Sequence, residues 1–441
     1  MKKRILALMI AMLTLLSGCS LTSGIDTLLA PPKLSEEQEE IYSALLEFTG
    51  SKITLRYPKS GSYLSAFIVE NIDSEPSDEA IVFYERSGAA VSDSSLRINV
   101  LDKIDGQWQS IYDMAGAGTD VEKVMVTKLG QSDITSVIVG YGLISESGKA
   151  LKIYNYVDSI LQSTYTDTYS LMDVVDADSD GTFELFVAAM DKSASSAIAK
   201  LVVTDSAETY YVNSYQLRAN TSDFVQLQIG DISDSKPAFF IDTLNSNGLL
   251  QTEILCYRNG LLQSAYLTDE NETDYVEMSV RSPGYLTTDI DGDLQYEIPI
   301  LTDFPGYEDY SESEKVKMTL WTNYENGALK SKSPSYYNIS GGYMFILPDG
   351  WLGNVTAKIT GNEIIFCEFD RTANHEISDE LSEILRISSA QNQNDADTLK
   401  SAGYSVIYEK GSNGCYVKYP SAVSEKYNVS ATTLRSCFII F

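Results

Sequence analysis

Short runs of apolar residues recur along residues 51–335 with a spacing of roughly 50 residues, which is typical of a repeated structural unit. Five clear runs lie at residues 80–84, 137–139, 185–189, 238–241 and 298–301. Each follows a polar segment that contains turn-forming residues. Because short apolar runs bounded by such residues are typical of buried strands, the pattern predicts a mainly β fold.

A turn dipeptide lies farther along each repeat, between two stretches that read as strands. The first, Asp105-Gly106, separates residues 96–101 from residues 108–112. Asp-Gly and Asn-Gly supply the positive φ angles that two-residue hairpins require. We therefore expect hairpins at five dipeptides, which begin at Asp105, Asp158, Asp205, Asn259 and Asn326.

The polar segments share a nine-residue frame with oxygen-bearing side chains at positions 1, 3, 5 and 9. The two fullest copies lie at residues 176–184 and 289–297, and their candidate metal ligands are Asp176, Asp178, Asp180, Glu184, Asp289, Asp291, Asp293 and Glu297. Alternating carboxylates on a tight turn suit a hard cation such as Ca²⁺. The alternative is that these loops are only solvated turns, since Asp and Gly are ordinary turn residues.

Three weaker copies complete the series. Residues 71–79 keep most of the acids but lack the glycine, whereas residues 128–136 and 231–237 have lost most of the acids and are not expected to bind metal. One such unit cannot bury both of its faces alone, so neighbouring units must pack together. We expect about five units, with strands from residues 51–70 closing a ring with the last one.

These motifs resemble the integrin-type, VCBS-like (FG-GAP) repeats, whose motif is Asp-x-Asp-x-Asp-Gly-x-x-Asp/Glu followed by an apolar strand. Residues 176–184 fit it fully, whereas residues 289–297 carry their glycine at Gly292. The resemblance implies a β-propeller of about five blades over residues 51–335. Calcium would then pin the turn of a blade and would have no catalytic role.

The repeat fades after residue 335. Residues 384–387 read as a strand, residues 396–402 read as a short helix, and a turn at residues 361–362 joins two further strands. These elements predict a small α+β domain at residues 336–441.

The N-terminus begins with three basic residues, which an apolar stretch at residues 5–16 follows. This stretch is too short for a permanent membrane span. It ends in Leu-Ser-Gly-Cys at residues 16–19, which resembles a bacterial lipoprotein signal. The resemblance implies a signal peptide at residues 1–18, a lipid on Cys19, and attachment to the membrane through that lipid.

Residues 19–50 are expected to form a tether followed by a short helix. Ser35 and Gln38 fit a capping box, and Gly50 is placed to end the helix. Ile41, Leu45 and Phe48 are spaced to share one face, so we expect a packing helix, with a partner-binding helix as the alternative.

The net charge and the cysteine content argue against a nucleic-acid-binding protein and against a disulfide-rich scaffold. The net charge of −30 disfavours nucleic acid as a partner, because the phosphate backbone requires cationic contacts. Beyond Cys19, the cysteines are Cys256, Cys367, Cys415 and Cys437, too few for a disulfide framework in a chain of this size. Either one bridge forms among the last three, or the thiols are buried and free.

Candidate catalytic groups are sparse. A single histidine, His375, excludes multi-histidine metal centres, and no phosphate loop or dinucleotide fingerprint is present. A pair of carboxylates is enough for a glycosidase, but with 62 acidic residues any chosen pair is uninformative. Tyrosines such as Tyr307, Tyr310, Tyr336 and Tyr337 either stack on sugars or pack within strands.

The sequence therefore predicts a lipid-anchored binding or scaffold protein on the extracytoplasmic face of the cell membrane, with an envelope protein or glycan as its partner. It resembles surface lipoproteins of Gram-positive bacteria. The alternative is a carbohydrate-active enzyme that uses paired carboxylates in the cleft of the propeller.

Overall fold

The computed structural model describes residues 34–86, 95–143, 148–191, 196–232, 236–267, 273–373, 376–411, 413–421, 426–427 and 429–441. Within these ranges the chain is mainly β, with six antiparallel sheets and four helices. Cys19, the signal peptide and His375 lie outside the described residues. Among the helices that the structure describes, none has the length and apolar character needed to cross a membrane.

The first sheet contains β1 (Ile53–Leu55), β2 (Phe67–Glu70), β3 (Glu79–Arg86), β4 (Leu96–Ile104) and β5 (Gln107–Ala115). Both β1 and β2 pair with β3, where Leu55 lies opposite Tyr84 and Phe67 lies opposite Val82. The expectation that strands from residues 51–70 join the last unit is therefore wrong. Residues 79–86 form a long apolar strand, and it recruits both short strands within its own sheet.

The next three sheets are four-stranded meanders whose strands pair in chain order. The second contains β6 (Asp120–Lys128), β7 (Thr135–Gly142), β8 (Lys149–Val157) and β9 (Ile160–Tyr169). The third contains β10 (Leu171–Val175), β11 (Glu184–Asp191), β12 (Ser196–Thr204) and β13 (Tyr210–Gln216). The fourth contains β14 (Thr221–Ile232), β15 (Lys236–Asn245), β16 (Leu250–Arg258) and β17 (Leu261–Ser264).

The fifth sheet departs from this plan at both edges. It contains β18 (Ile298–Asp303), β19 (Lys317–Glu325), β20 (Ala328–Asn338), β21 (Tyr343–Ile346) and, from the end of the chain, β27 (Phe438–Ile440). Where the second, third and fourth sheets begin with a strand, the fifth sheet has an isolated bridge between Thr288 and Glu297. The division expected after residue 335 falls within β20, which continues to pair with β21.

The sixth sheet contains β22 (Val355–Thr360), β23 (Glu363–Glu368), β24 (Glu383–Ala390), β25 (Ser405–Lys410) and β26 (Asn413–Lys418). Its order is β22-β23-β24-β26-β25. The helices are α1 (Glu36–Thr49), α2 (Tyr275–Met278), α3 (Gln393–Ser401) and α4 (Ala431–Cys437). The predicted strand at residues 384–387 and the predicted helix at residues 396–402 are thus confirmed, the helix with a shifted start.

The predicted ends of α1 are confirmed. Ser35 and Gln38 form the reciprocal capping box, and Gly50 adopts a φ of 59° while its N–H donates to the Leu46 carbonyl. Ile41 and Leu45 are fully buried, but Phe48 is 48% exposed, so its predicted place on the packed face is wrong.

Turn dipeptides form two-residue hairpins in four of the sheets, as predicted, and they join β4 to β5, β8 to β9, β16 to β17 and β19 to β20. In the first, Asp105 and Gly106 have φ angles of 54° and 79°. The prediction at Asp205 is wrong, because β12 and β13 are joined by a five-residue loop, residues 205–209. The Asp205 carboxylate closes that loop by accepting from the N–H groups of Ala207 and Thr209, each at 2.9 Å.

Apolar clusters join the sheets in chain order. Ile81 and Phe83 of β3 face the second sheet, whereas the alternate residues Ala80 and Val82 pack beneath Leu45 of α1. At the other end of the stack, the fifth sheet shares one cluster with the fourth sheet and another with the sixth. Among the described residues, no apolar cluster joins the first sheet to the fifth, and closure of the predicted ring is not shown.

Candidate metal centres

Three carboxylates converge in the loop between β10 and β11. Oxygens of Asp176, Asp178 and Glu184 lie within 4.8 Å of one another, which suits coordination of a single cation. Asp176 is half-buried, Asp178 is exposed and Glu184 is buried. The group therefore opens to solvent at Asp178, and Glu184 forms its floor. The loop at residues 176–184 therefore offers three carboxylates placed to hold a metal ion.

Two of these carboxylates also fold the loop. The oxygens of Asp176 accept from the N–H groups of Asp180 at 3.0 Å and Gly181 at 2.9 Å. Glu184 Oε2 accepts from the N–H of Ala177 at 2.8 Å. Gly181 has a φ of 91°, a backbone conformation that residues with a Cβ atom rarely adopt. Asp176 and Glu184 thus clamp both ends of the loop.

Asp180, the fourth predicted ligand, lies outside the three-carboxylate group. Its Oδ1 atom accepts from the Thr182 N–H at 2.8 Å and from the Thr182 hydroxyl at 2.7 Å. These bonds stabilise the ionised form and lower the pKa of Asp180. Asp180 therefore orders the second half of the loop through Thr182.

Among the residues that the structure describes, the charges that act on the buried glutamate of this loop are acidic. Glu184 is 2% exposed, and burial raises the pKa of its carboxyl to about 7. Repulsion from the three aspartates of the same loop contributes to this rise in pKa. A bound divalent cation would offset this repulsion and favour the ionised carboxylate.

The loop at residues 289–297 is clamped in the same manner. Asp289 accepts from the N–H groups of Gly292 at 2.7 Å and Leu294 at 2.9 Å, and Glu297 Oε2 accepts from the N–H of Ile290 at 2.9 Å. Oxygens of Asp289, Asp291 and Glu297 also lie within 4.8 Å of one another. The chain thus has a second acidic group of the size that suits a metal ion.

A lysine that the sequence reasoning missed lies in this second group. The ammonium of Lys332 is 2.8 Å from oxygens of Asp291, Asp293 and Glu297. Partial burial opposes the charge of Lys332, but the hydrogen bonds to these carboxylates outweigh it and raise its pKa. A cation at this loop must therefore compete with an ammonium that is already in place.

A β-bulge brings Lys332 to the loop. Trp321 of β19 pairs with Ser333 of β20, and the next residue, Thr322, pairs with Ser331. Lys332 is the extra residue between the two pairs, and such an insertion redirects the side chain. In the third sheet, β12 and β13 pair without a shift of register, so no equivalent insertion is present.

The degenerate copy at residues 71–79 shows which part of the frame is structural. Glu79 Oε2 accepts from the N–H of Ile72 at 2.9 Å, as the last glutamate does in the two fuller loops. Asn71 replaces the first aspartate and accepts from the N–H of Ser74 at 2.7 Å. The first and last positions of the frame are therefore loop clamps, whichever residues lie between them.

The remaining candidate groups are accounted for by packing. The four described cysteines are free, and three of them are buried. Tyr307 is buried and donates to the Ala357 carbonyl at 2.9 Å, while Tyr336 packs edge-on against Phe366. Tyr307 and Tyr336 therefore belong to the core, in keeping with the packing alternative.

Comparison with known proteins gives no family. No family model matches the chain, and no curated protein matches it. Similar solved structures include a rhamnogalacturonan lyase PL11 of Bacillus licheniformis, at 10% identity and a TM-score of 0.28, covering 73% of this chain and 82% of that one. An exotype rhamnogalacturonan lyase, YesX, has 13% identity and a TM-score of 0.27 over 70% of this chain and 60% of its own.

TolB of Acinetobacter baumannii has 11% identity and a TM-score of 0.22, covering 65% of this chain and 60% of that one. Similarities this low carry no inference about activity.

Proposed function

We propose that this protein is a lipid-anchored, extracytoplasmic binding or scaffold protein whose sheets are propeller-type blades stabilised by Ca²⁺. The observation that carries the proposal is the loop clamp, which recurs at the start of β3, β11 and β18 in the first, third and fifth sheets. In the loop at residues 176–184, the clamp carboxylates Asp176 and Glu184 are also two of the three that converge. A cation bound there would tie the turn to β11.

Of the two acidic loops, the one at residues 176–184 is the proposed calcium site. There the three carboxylates face one another and the neighbouring charges are acidic. In the loop at residues 289–297, Lys332 supplies a positive charge from within the chain. We therefore propose that calcium stabilises the third sheet, whereas an internal ammonium performs the equivalent task in the fifth.

A structural role for the cation follows from what its ligands already do. Asp176 and Glu184 each accept backbone hydrogen bonds, so the metal adds to a scaffold interaction. Catalytic metal sites instead keep a coordination position open for substrate. Recognition of a partner would then fall to the surfaces that the sheets and their loops present.

The anchoring part of the proposal is tested on the full chain in a bacterial host. The chain with Cys19 is expected in the membrane fraction and accessible to an external protease, whereas Cys19→Ala is released from that fraction. Cross-linking on intact cells, followed by identification of the captured envelope protein or glycan, then tests the binding role. Retention of the native chain in the soluble cytoplasmic fraction would overturn the proposal.

A further inference from the structure

A polar cavity lies away from the acidic loops, where the third and fourth sheets meet α2. Its volume is about 330 Å³, and the residues that give it its chemistry are Tyr215, Arg218, Glu253, Tyr266, Asp274 and Tyr275. They come from separate elements, so the fold has to assemble the cavity. It combines charged groups of both signs with tyrosine side chains.

Glu253 is the deepest charged group in the cavity. It lies on β16 and is 4% exposed. Its Oε1 atom accepts from the backbone N–H of Arg218 at 2.9 Å, and this is the one hydrogen bond that the described residues make to its carboxyl group. Oε2 is therefore available to a ligand, whereas Oε1 is committed to the backbone.

Arg218 and Asp274 form an ion pair on the wall of the same cavity. Burial opposes ionisation of Asp274, but the hydrogen bond from the Arg218 guanidinium and the N–H of Glu277 outweigh it and lower its pKa. A guanidinium carries five N–H donors, so pairing with one carboxylate leaves several for another partner.

Tyr266 adds a hydroxyl without a partner. Its ring stacks on that of Tyr275 with centroids 5.2 Å apart, and its OH is buried without a hydrogen-bond acceptor or donor among the described residues. A buried polar group without a partner is costly, so a ligand that binds this hydroxyl would recover that free energy.

We propose that this cavity binds a neutral saccharide, which deepens the proposed binding function by naming a glycan as the partner. The walls offer donors from Arg218 and acceptors from Glu253 and Asp274, so a complementary ligand must both accept and donate. A hydroxyl group does both. An ammonium ligand would only donate and would face Arg218, whereas a carboxylate ligand would only accept and would face the two acids.

The test is saturation-transfer NMR on the full chain with methyl glycosides of glucose, galactose, mannose and N-acetylglucosamine as probes. At least one probe is expected to receive saturation. Glu253→Gln should weaken its binding about tenfold, since one hydrogen bond is lost. The amide oxygen must keep accepting from the Arg218 N–H, so the NH₂ takes the place of Oε2 and can only donate.

Two further variants separate binding from folding. Tyr266→Phe removes only the unpartnered hydroxyl, so the melting temperature should be unchanged or higher. Binding of the probe should still become weaker. Glu325→Gln, the same change at an exposed residue of β19, should leave binding unchanged.

The proposal is overturned if no probe receives saturation, or if Glu253→Gln and Tyr266→Phe bind the probe as tightly as the native chain. Neither result touches the calcium site or the lipid anchor, which chelation and cell fractionation test separately.

Discussion

The Nζ atom of Lys332 lies 2.8 Å from the Oε1 atom of Glu297. Glu297 is fully buried, and its other oxygen clamps the loop through the Ile290 N–H. In the loop at residues 176–184, the equivalent glutamate, Glu184, receives a hydroxyl hydrogen bond from Thr182 at 3.3 Å in place of an ammonium. Two loops with nearly the same acids therefore differ in the positive charge available to them.

Removing that ammonium should expose the second loop to calcium. We predict that Lys332→Met lowers the free energy of unfolding in chelator by about 2–3 kcal/mol, because a buried carboxylate loses its partner. Added calcium should restore much of this loss, because the three carboxylates then face a cation in place of the lysine. The measurement is thermal melting in chelator and in calcium, with Asp178→Asn present to silence the first loop.

The matched control is Lys330→Met, two residues earlier on β20. It should leave both melting curves nearly unchanged. If Lys332→Met gains no calcium response over this control, the idea that the ammonium takes the place of a metal ion in this loop is wrong.

Breaking a buried ion pair should destabilise the fourth sheet. Arg281 and Asp242 are 2.9 Å apart with both side chains fully buried, and Asp242 also accepts from the hydroxyls of Thr252 and Thr287. We predict that Arg281→Met lowers the free energy of unfolding by about 3–5 kcal/mol, because Asp242 is left buried and unpaired.

Urea denaturation tests this prediction, with Arg371→Met as a control at an exposed arginine. Adding Asp242→Asn to Arg281→Met should recover part of the loss, since the unpaired charge is removed. A cost for Arg281→Met no larger than that of the control would mean that the pair contributes little.

Glu253 should make stability depend on pH. Burial raises the pKa of its carboxyl from an ordinary 4.5 to about 7. Between these values the folded chain keeps a proton that the unfolded chain has lost, so the contribution of Glu253 to stability falls as pH rises from 4.5 to 7. Glu253→Gln stays neutral and avoids this fall.

The variant should therefore match the native chain near pH 4.5 and exceed it by up to roughly 3 kcal/mol near pH 8, from the size of the pKa displacement. Urea denaturation at the two pH values, in chelator, measures the difference. An equal difference at both pH values would show that Glu253 ionises without cost in the folded chain.

Local signals explain what the sequence predicted well. The capping box of Ser35 and Gln38 and the hairpin at Asp105 involve neighbours in the chain, so residue type and spacing suffice. The acidic frame predicted two groups that suit a metal ion for the same reason. The exception at Asp205 arose because its carboxylate binds N–H groups up to four residues ahead and stabilises a longer loop.

Long-range packing explains what the sequence missed. The pairing of β27 with β21, and of β1 with β3, depends on strands that are not neighbours in the chain. Lys332 reaches its loop through a single inserted residue, which an alternating pattern conceals. Nothing in the sequence distinguishes Glu253 from the other acidic residues, because its partner Arg218 is 35 residues away in the chain. The lipid on Cys19 and the alternative of a carbohydrate-active enzyme stay predictions.

The central claim is that residues 176–184 hold calcium and residues 289–297 are neutralised by Lys332. Calorimetric titration of the native chain with calcium tests it most directly, beside Asp178→Asn and the matched Asp291→Asn. Neither residue is one of the two clamps of its loop, so both loops should still fold. We predict binding by the native chain and by Asp291→Asn, and its loss in Asp178→Asn. Calcium binding that survives Asp178→Asn, or that disappears in Asp291→Asn alone, would contradict the account.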